Sequence, residues 1–589
     1  MNKIHIKFNQ FIDWQNEKLN EKQKLIILSV IVGLSVGFAA VIIKNLVHII
    51  QDYLEHNLVS RNSWIYIFLP IIGISLTVFF IKYINRNPVR HGIPGVLYAL
   101  SKNKGKMNRH NLYSSIITSA LTVGFGGSVG LEGPTVATGG AIGSQIGQLL
   151  KLNYKQITLL MGAACAGAMS SIFKAPIAAI VFSLEVIMLD LTMAAIVPLL
   201  ISSATAALTS YLFLGQNVLY TFEVHEDFQL NQVIYYVIFG AITGLASVYF
   251  TRVYNFVSEI FERIGNKLYQ LLTGGTVLGI LVFLFPSLYG EGYEIINESL
   301  KGDYHYLYQG VFSNVEPTVF YTTLAFLFLF LLKVFATSIT FGAGGIGGVF
   351  APTLFSGAIL GLFFTFILEH FGIEISSSNF ALVGMAGMIS AVIHAPLTAI
   401  FLIAEITDGY ELFMPLIIVA TISYATTRIF VSNSVYTIQL AKRGELITHH
   451  KDKAMLMMLD INDLIESDFS ELQPDQKLGD LVETIKFAQR NIFPVVEKDR
   501  TFRGIVKLDD IRHLMFNTEI YDKIYVRDLM FMPDYVIESH EAMHDVAAKF
   551  QVSGRYNITV LEHGKYLGFI SRAKLFSAYR KLLEDFSEE

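Results

Sequence analysis

The stretch GGSVGLEGPTVATGGAIG, residues 126–143, sets one carboxylate, Glu132, among glycines and apolar side chains. A charge in such a run is costly, and an ionisable residue in an apolar span reads as functional by default. Gly126, Gly127, Ser128 and Gly130 make a loop, Pro134 stands where a first helical turn favours proline, and an uncharged run continues to Leu150. The opening amides of a helix lack intrahelical acceptors and carry the positive end of the helix dipole, and glycine lets an ion approach them closely. That is an anion site needing no lysine or arginine. Residues 342–368 repeat the pattern with a glycine-rich loop, Phe350 and Pro352, and HGIPGVLYA (91–99) offers a third, with Pro94 opening a short helix. Three broken helices aimed at one midplane point would hold an anion.

The elements that must position these loops are membrane helices. Apolar residues make up 53% of the 589-residue chain and charged residues 16%, against about 25% charged in soluble domains. Residues 25–43, 64–81, 192–222 and 334–368 contain no Asp, Glu, Lys or Arg, and uncharged segments of roughly 18 residues or more read as membrane helices. Residues 1–24 are polar, lack the apolar core of a signal peptide and read as a cytoplasmic lead-in. Cys165 is the only cysteine, so no intrachain disulfide and no cysteine-based metal site is expected. The net charge of −5 says little about partners, and no basic run suggests nucleic acid.

The membrane part repeats itself. AGAMSSIFKAPIAAIVFSLEVI from Ala166 matches AGMISAVIHAPLTAIFLIAEIT from Ala386, so Gly167, Pro176 and Glu185 recur 220 positions on as Gly387, Pro396 and Glu405. Upstream, LEGPT (131–135) is echoed by VFAPT (349–353). Two halves with Gly/Pro-broken helices are the sign of an internal-repeat transporter. From about residue 455 charges appear every few positions, and there too the chain repeats: residues 491–515 and 557–579 each read strand, turn, strand, helix, with a helical stretch before each at 478–489 and 541–551. Each such unit is too small for a good core alone, so the two should pack together.

The loops RHGIP (90–94), GSVGLEGP (127–134) and GGVFAP (347–352), with a tyrosine late in the membrane part, Tyr436 in NSVYTIQL, closely resemble the signature elements of the CLC chloride channels and transporters over about residues 20–445. The soluble part resembles a tandem pair of CBS domains. The fold implied is an α-helical polytopic membrane protein, with two inverted repeats of broken, tilted helices at about 25–222 and 231–436 within 25–445. A soluble α/β CBS pair would follow over 446–589, its units at about 459–518 and 519–583. By resemblance, Glu132 is the gate: ionised, it occupies the chloride site, and protonated, it swings aside. His91, Gly92, Ile93, Gly130, Gly133, Val349, Phe350, Ala351 and Tyr436 would surround the anion.

The sequence departs from the family at several points. Coupled exchangers commonly carry a second, proton-relaying glutamate ten residues after the proline of the xAP loop. Here that position is Val186, and Glu185, one residue earlier, lies about 100° round the helix. His91 stands where serine is common, and its imidazole could donate to the anion and make conduction pH-sensitive. Leu131 replaces a common arginine before Glu132. Lys174 and Lys333 flank apolar runs and read as snorkelling or lining a vestibule. Glu185 and Glu405 read as capping or pairing structurally, with a direct transport role the minority reading, and His394 as making a loop hydrogen bond. In the CBS pair the ribose-contacting pattern is broken in both units: Lys507 and Asp510 in the first, Ser571 and Lys574 in the second.

The expectation is a homodimer with one pathway per protomer, multi-pass in the cell membrane, with both termini cytoplasmic. It would carry chloride and other small anions, contact membrane lipid, and bind no nucleic acid. It would need no cofactor or metal, with an adenine-type nucleotide open as a CBS ligand. Val186 favours a passive, glutamate-gated channel. A chloride/proton antiporter is the alternative, and a CBS-regulated membrane sensor or cation transporter a remote one. No nucleophile–base pair or cofactor loop points to an enzyme.

Overall fold

The computed structural model describes residues 18, 20–59, 62–90, 92–187, 193–215, 228–300, 307–308, 312, 316, 318–407, 409–442, 456 and 459–587. The chain forms two compact units, residues 1–446 and 447–589.

The first unit is helical. Its first half comprises α1 (Glu21–Leu54), α2 (Leu69–Phe79), α3 (Gly92–Lys102), α4 (Asn111–Gly124), α5 (Glu132–Leu149), α6 (Tyr154–Phe173), α7 (Pro176–Glu185) and α8 (Met193–Leu214). The second comprises α9 (Val233–Ile264), α10 (Lys267–Leu284), α11 (Tyr293–Leu300), α12 (Val319–Gly342), α13 (Phe350–His370), α14 (Ser377–Ile393), α15 (Pro396–Ile406), α16 (Phe413–Phe430) and α17 (Ile438–Lys442). Among the described residues nine helices are long and apolar enough to cross a membrane. The shorter apolar helices are α7, α14 and α15. At 1.5 Å per residue they are shorter than the roughly 30 Å hydrocarbon core of a bilayer.

The 220-residue echo is structural. α6 stops at Lys174 and α14 at His394, both in the left-handed region at φ 56° and 63°, and each is followed by Ala-Pro opening the next helix. A left-handed residue ends a helix, and the proline fits the first turn of its successor. Within each half the helices pack through small residues: a Cβ on Gly357 of α13 would strike the carbonyl of Gly384 in α14. Such contacts let membrane helices approach closely enough for dispersion to hold them. The aromatic core is also tight: Tyr236 stacks on Phe380 at 4.6 Å between ring centres.

The second unit repeats one strand-and-helix pattern twice, as expected of a CBS pair. Its first half carries α18 (Leu478–Phe487), then β1 (Ile492–Val496) antiparallel to β2 (Phe502–Lys507), in register Ile492↔Lys507. Its second half carries β3 (Val536–Glu538), α19 (Met543–Ser553), β4 (Asn557–Glu562), β5 (Lys565–Ser571) and α20 (Arg572–Ser587). Here β3 runs parallel to β4, and β4 antiparallel to β5. Leu472 bridges Val495 in parallel, the counterpart of β3 in the first half. The halves share a core: Phe469, Val496, Phe502 and Ile505 pack with Leu561, Tyr566 and Phe569.

Candidate functional site

Two loops are joined before their helices begin. Gly130 and Gly348 each donate their amide to the other's carbonyl at 2.8 Å, tying the entry of α5 to that of α13. The junction tolerates only glycine at its tightest points. A Cβ on Gly348 would stand 2.8 Å from the Gly133 nitrogen, and one on Gly92, at φ +26°, 2.8 Å from the Gly133 carbonyl carbon. Thus α3, α5 and α13 bring their N-termini together through Gly92, Gly133 and Gly348. Leu131 and Val349, which precede α5 and α13, make no side-chain cap, so the first-turn amides are left for another acceptor.

Glu132 supplies one. Its side chain is wholly buried. Oε1 accepts from the Tyr293 hydroxyl at 2.9 Å. Oε2 lies over Gly130, where a Cβ would collide with it. The amides of Glu132 itself and of Ala351 face the carboxylate, but Oε2 completes no hydrogen bond of good geometry. The carboxylate is therefore folded back over the N-termini of α5 and α13, where the helix dipoles favour negative charge. The Tyr436 hydroxyl is buried without a hydrogen-bond partner among the described residues and lies within electrostatic reach of Glu132. Ile93, Val349, Phe350 and Ala351 are buried around these junctions. His91 lies outside the described residues.

Three residues near Glu132 were not singled out by the sequence reading. Glu291 accepts from the Leu131 amide, the residue before Glu132, through Oε1 at 3.0 Å. Tyr293 follows it on the same Gly-rich turn, YGEGYE. Lys44 of α1 donates from Nζ to the Ile172 carbonyl at 2.9 Å and is in electrostatic contact with Glu132 and Glu291. Their signal was available: a lone acid among glycines, and a lone cation in an apolar helix. Two expectations need correction. Lys333 neither snorkels nor lines an open vestibule: it is fully buried, donates from Nζ to the Gly290 carbonyl at 2.9 Å, and stands 4.7 Å from the centre of the Phe355 ring. His394 makes no hydrogen bond through Nε2; its ring stands edge-on to Tyr424.

The paired glutamates do cap, and each caps the opposite half. Glu185, ending α7, accepts from the Leu397 and Thr398 amides at 3.0 and 2.8 Å and from the Thr398 hydroxyl at 2.7 Å. Glu405, near the end of α15, accepts from the Ile177 and Ala178 amides at 2.9 and 2.8 Å. Each carboxylate sits at the other helix's N-terminus, so α7 and α15 run antiparallel, as inversion of the repeats requires. Val186 is buried at the end of α7.

In the soluble unit a cavity of about 560 Å³ is lined by Arg490, Lys507, Asp509, Tyr535, Arg555 and Asn557 among others. Lys507 lines it; Asp510, Ser571 and Lys574 do not. The Ser571 hydroxyl donates to Glu466 at 2.9 Å and accepts the Lys574 amide at 3.1 Å, and Lys574 Nζ donates to the Ile465 carbonyl at 3.2 Å.

Bridged helix N-termini that leave amides for an acid or an anion, on an inverted helical repeat, define an anion-transport protein of the membrane. The chain belongs to the voltage-gated chloride channel family, which it matches over residues 73–428. It is 28% identical over 390 residues to the Ralstonia nicotianae protein named "Putative chloride channel protein ClcB-like", covering 65% of this chain and 87% of that one. It is 27% identical over 410 residues to the H(+)/Cl(−) exchange transporter ClcA of Vibrio cholerae, covering 67% and 84%. In fold it is similar to a slow cyanobacterial Cl−/H+ antiporter, with TM-score 0.61 and 21% identity, over 72% of this chain and 99% of the other. A eukaryotic CLC transporter aligns over 93% of this chain and 97% of its own, with TM-score 0.60 and 18% identity. The protein is thus a polytopic membrane protein of the chloride-transporting CLC family.

Proposed function

We propose that the chain exchanges chloride for protons through a pathway gated by Glu132. The observation that carries this reading is the Glu132 carboxylate lying where an anion would be held, on the joined N-termini of α5 and α13 with the Ala351 amide facing it. Ionised, the carboxylate competes with chloride for the same amides. Protonated, it loses that attraction, turns away and leaves the amides and the Tyr436 hydroxyl to chloride. One group then alternates between proton and site, which is the minimum an exchanger needs. The name of the Vibrio cholerae relative also favours exchange.

Passive chloride conduction is the second reading. It is favoured by Val186, which cannot hold a proton where coupled relatives commonly have a glutamate. Purified protein in liposomes, given a chloride gradient and no proton gradient, separates the two. Exchange predicts uphill proton movement driven by chloride; its absence at a measurable chloride flux assigns the chain to conduction. Under either reading Glu132→Gln removes the competing charge, so chloride flux rises at neutral pH and loses most of its pH dependence. The protein acts as a homodimer in the cell membrane, with a pathway in each protomer bounded by the residues of the three loops. The second unit serves regulation and dimer stability, with an adenine-type nucleotide open as a weak ligand of its cavity through Lys507.

A further inference from the structure

One short turn touches the gate region at three points. Gly290 accepts from Lys333, Glu291 accepts from the Leu131 amide, and Tyr293 donates to Glu132. Tyr289, just before, donates to the Gly124 carbonyl at 2.6 Å and anchors the turn to the end of α4. Tyr289, Gly290 and Glu291, which follow α10, and Tyr293, which opens α11, are therefore built against the gate region, although they belong to the other half of the fold.

The charges around them are balanced. Glu132 and Glu291 face Lys44 from α1 and Lys333 from α12, with Tyr436 also toward Glu132 and Lys174 toward Lys44. No arginine precedes Glu132, since Leu131 holds that place. Glu132 is sealed, whereas Glu291 and Tyr293 are half-buried.

From this geometry we infer that the Gly290–Tyr293 turn is a latch that sets the pH at which Glu132 lets go. The inference rests on the gate reading above. Tyr293 and Glu291 are positioning residues with opposite effects. The Tyr293 hydroxyl stabilises the ionised carboxylate in its seat, because a donor to the charged form favours that form. Glu291 is a like charge that opposes it and competes for the same proton, its own charge offset by Lys44 and Lys333.

The test is chloride efflux from proteoliposomes of the full-length chain, measured over an acid-to-neutral pH series. Tyr293→Phe is expected to shift the midpoint of the flux–pH curve upward, and Glu291→Gln, which keeps an acceptor for the Leu131 amide, to shift it downward. Each shift should be about one pH unit, a tenfold change in proton affinity. In a Glu132→Gln background neither substitution should restore a flux–pH midpoint. If Glu132→Gln abolishes the pH dependence while Tyr293→Phe and Glu291→Gln leave the midpoint in place, or move it the same way, the latch is overturned and the gate stands. If Glu132→Gln responds to pH as the wild type does, gate and latch both fall. Should one variant fail to elute as a folded protein, the direction of the other's shift still decides.

Discussion

Glu132 could be picked out from type and surroundings alone, because an isolated acid in a glycine-rich apolar run has few structural uses. Its partners could not. Tyr293 is 161 positions away and Glu291 is 160 positions from Leu131, and such contacts exist only once the two halves fold together. His394 and Lys333 were misjudged for the same reason: a polar side chain beside an apolar run says nothing of the ring or carbonyl it will meet. The residue scale carries one sharp steric test. Gly130 has ordinary backbone angles, so alanine is not strained there, but its Cβ would occupy the space of the Glu132 carboxylate and approach the Ala351 Cβ at 2.8 Å. Gly130→Ala should therefore displace the carboxylate from its seat and raise chloride flux at neutral pH, as Glu132→Gln does. Efflux from proteoliposomes reads this directly. A folded Gly130→Ala protein with wild-type flux and pH response would mean that the carboxylate does not block the pathway from this position.

At the scale of elements, the repeat was legible because it is written in helix-ending residues and prolines, which act locally. A structural role for Glu185 and Glu405, capping or pairing, was legible too, from their equal spacing after Pro176 and Pro396. Which helix each would cap was not, since a local pattern is the same whether the acceptor folds back or crosses over. The structure crosses them, and the crossing has an energetic consequence. Glu185→Ala would strip acceptors from the Leu397 and Thr398 amides and the Thr398 hydroxyl; Glu405→Ala would strip two amides from α7. Loss of a helix cap costs about 0.5–2 kcal/mol, and these carboxylates are only partly buried. Each variant should unfold at lower temperature in detergent, Glu185→Ala by more because it loses the additional hydroxyl bond. The matching Gln variants, which keep one acceptor oxygen, should recover part of the loss. Equal melting of wild type and both alanine variants would show that the antiparallel pair is held by its apolar faces alone.

At the scale of the whole molecule, charge density separated membrane from soluble chain, and the strand–turn–strand–helix pattern showed a second repeat, which resembles a CBS pair. Ligand binding by that pair was the least legible part, because a ribose motif is a pattern of side chains while a cavity is a consequence of packing. The second motif is occupied internally: Ser571 is held by Glu466, and Lys574 reaches the Ile465 carbonyl. On the cavity wall Arg490 is paired with Glu466 and Asp468, and Arg555 with Asp534. The Arg490 pairing also holds the exposed Asp468 carboxyl below its usual range, so that pair persists further into acid than an unpaired aspartate would stay charged. Lys507 is the lining cation without a carboxylate partner among the ion pairs of the described residues, and its Nζ stands 4.8 Å from the centre of the Phe531 ring. A phosphate would therefore meet one available charge, where strong sites align several charge-assisted bonds. ATP and AMP are expected to bind the full-length protein weakly, with Kd about millimolar. Stabilisation follows RT ln(1 + [L]/Kd), so melting temperature should rise only at high nucleotide concentration, and Lys507→Ala should remove that rise. A melting shift that saturates at micromolar ATP or AMP, or one that survives Lys507→Ala, would show that the cavity recognises the nucleotide through its base and ribose rather than through this lysine.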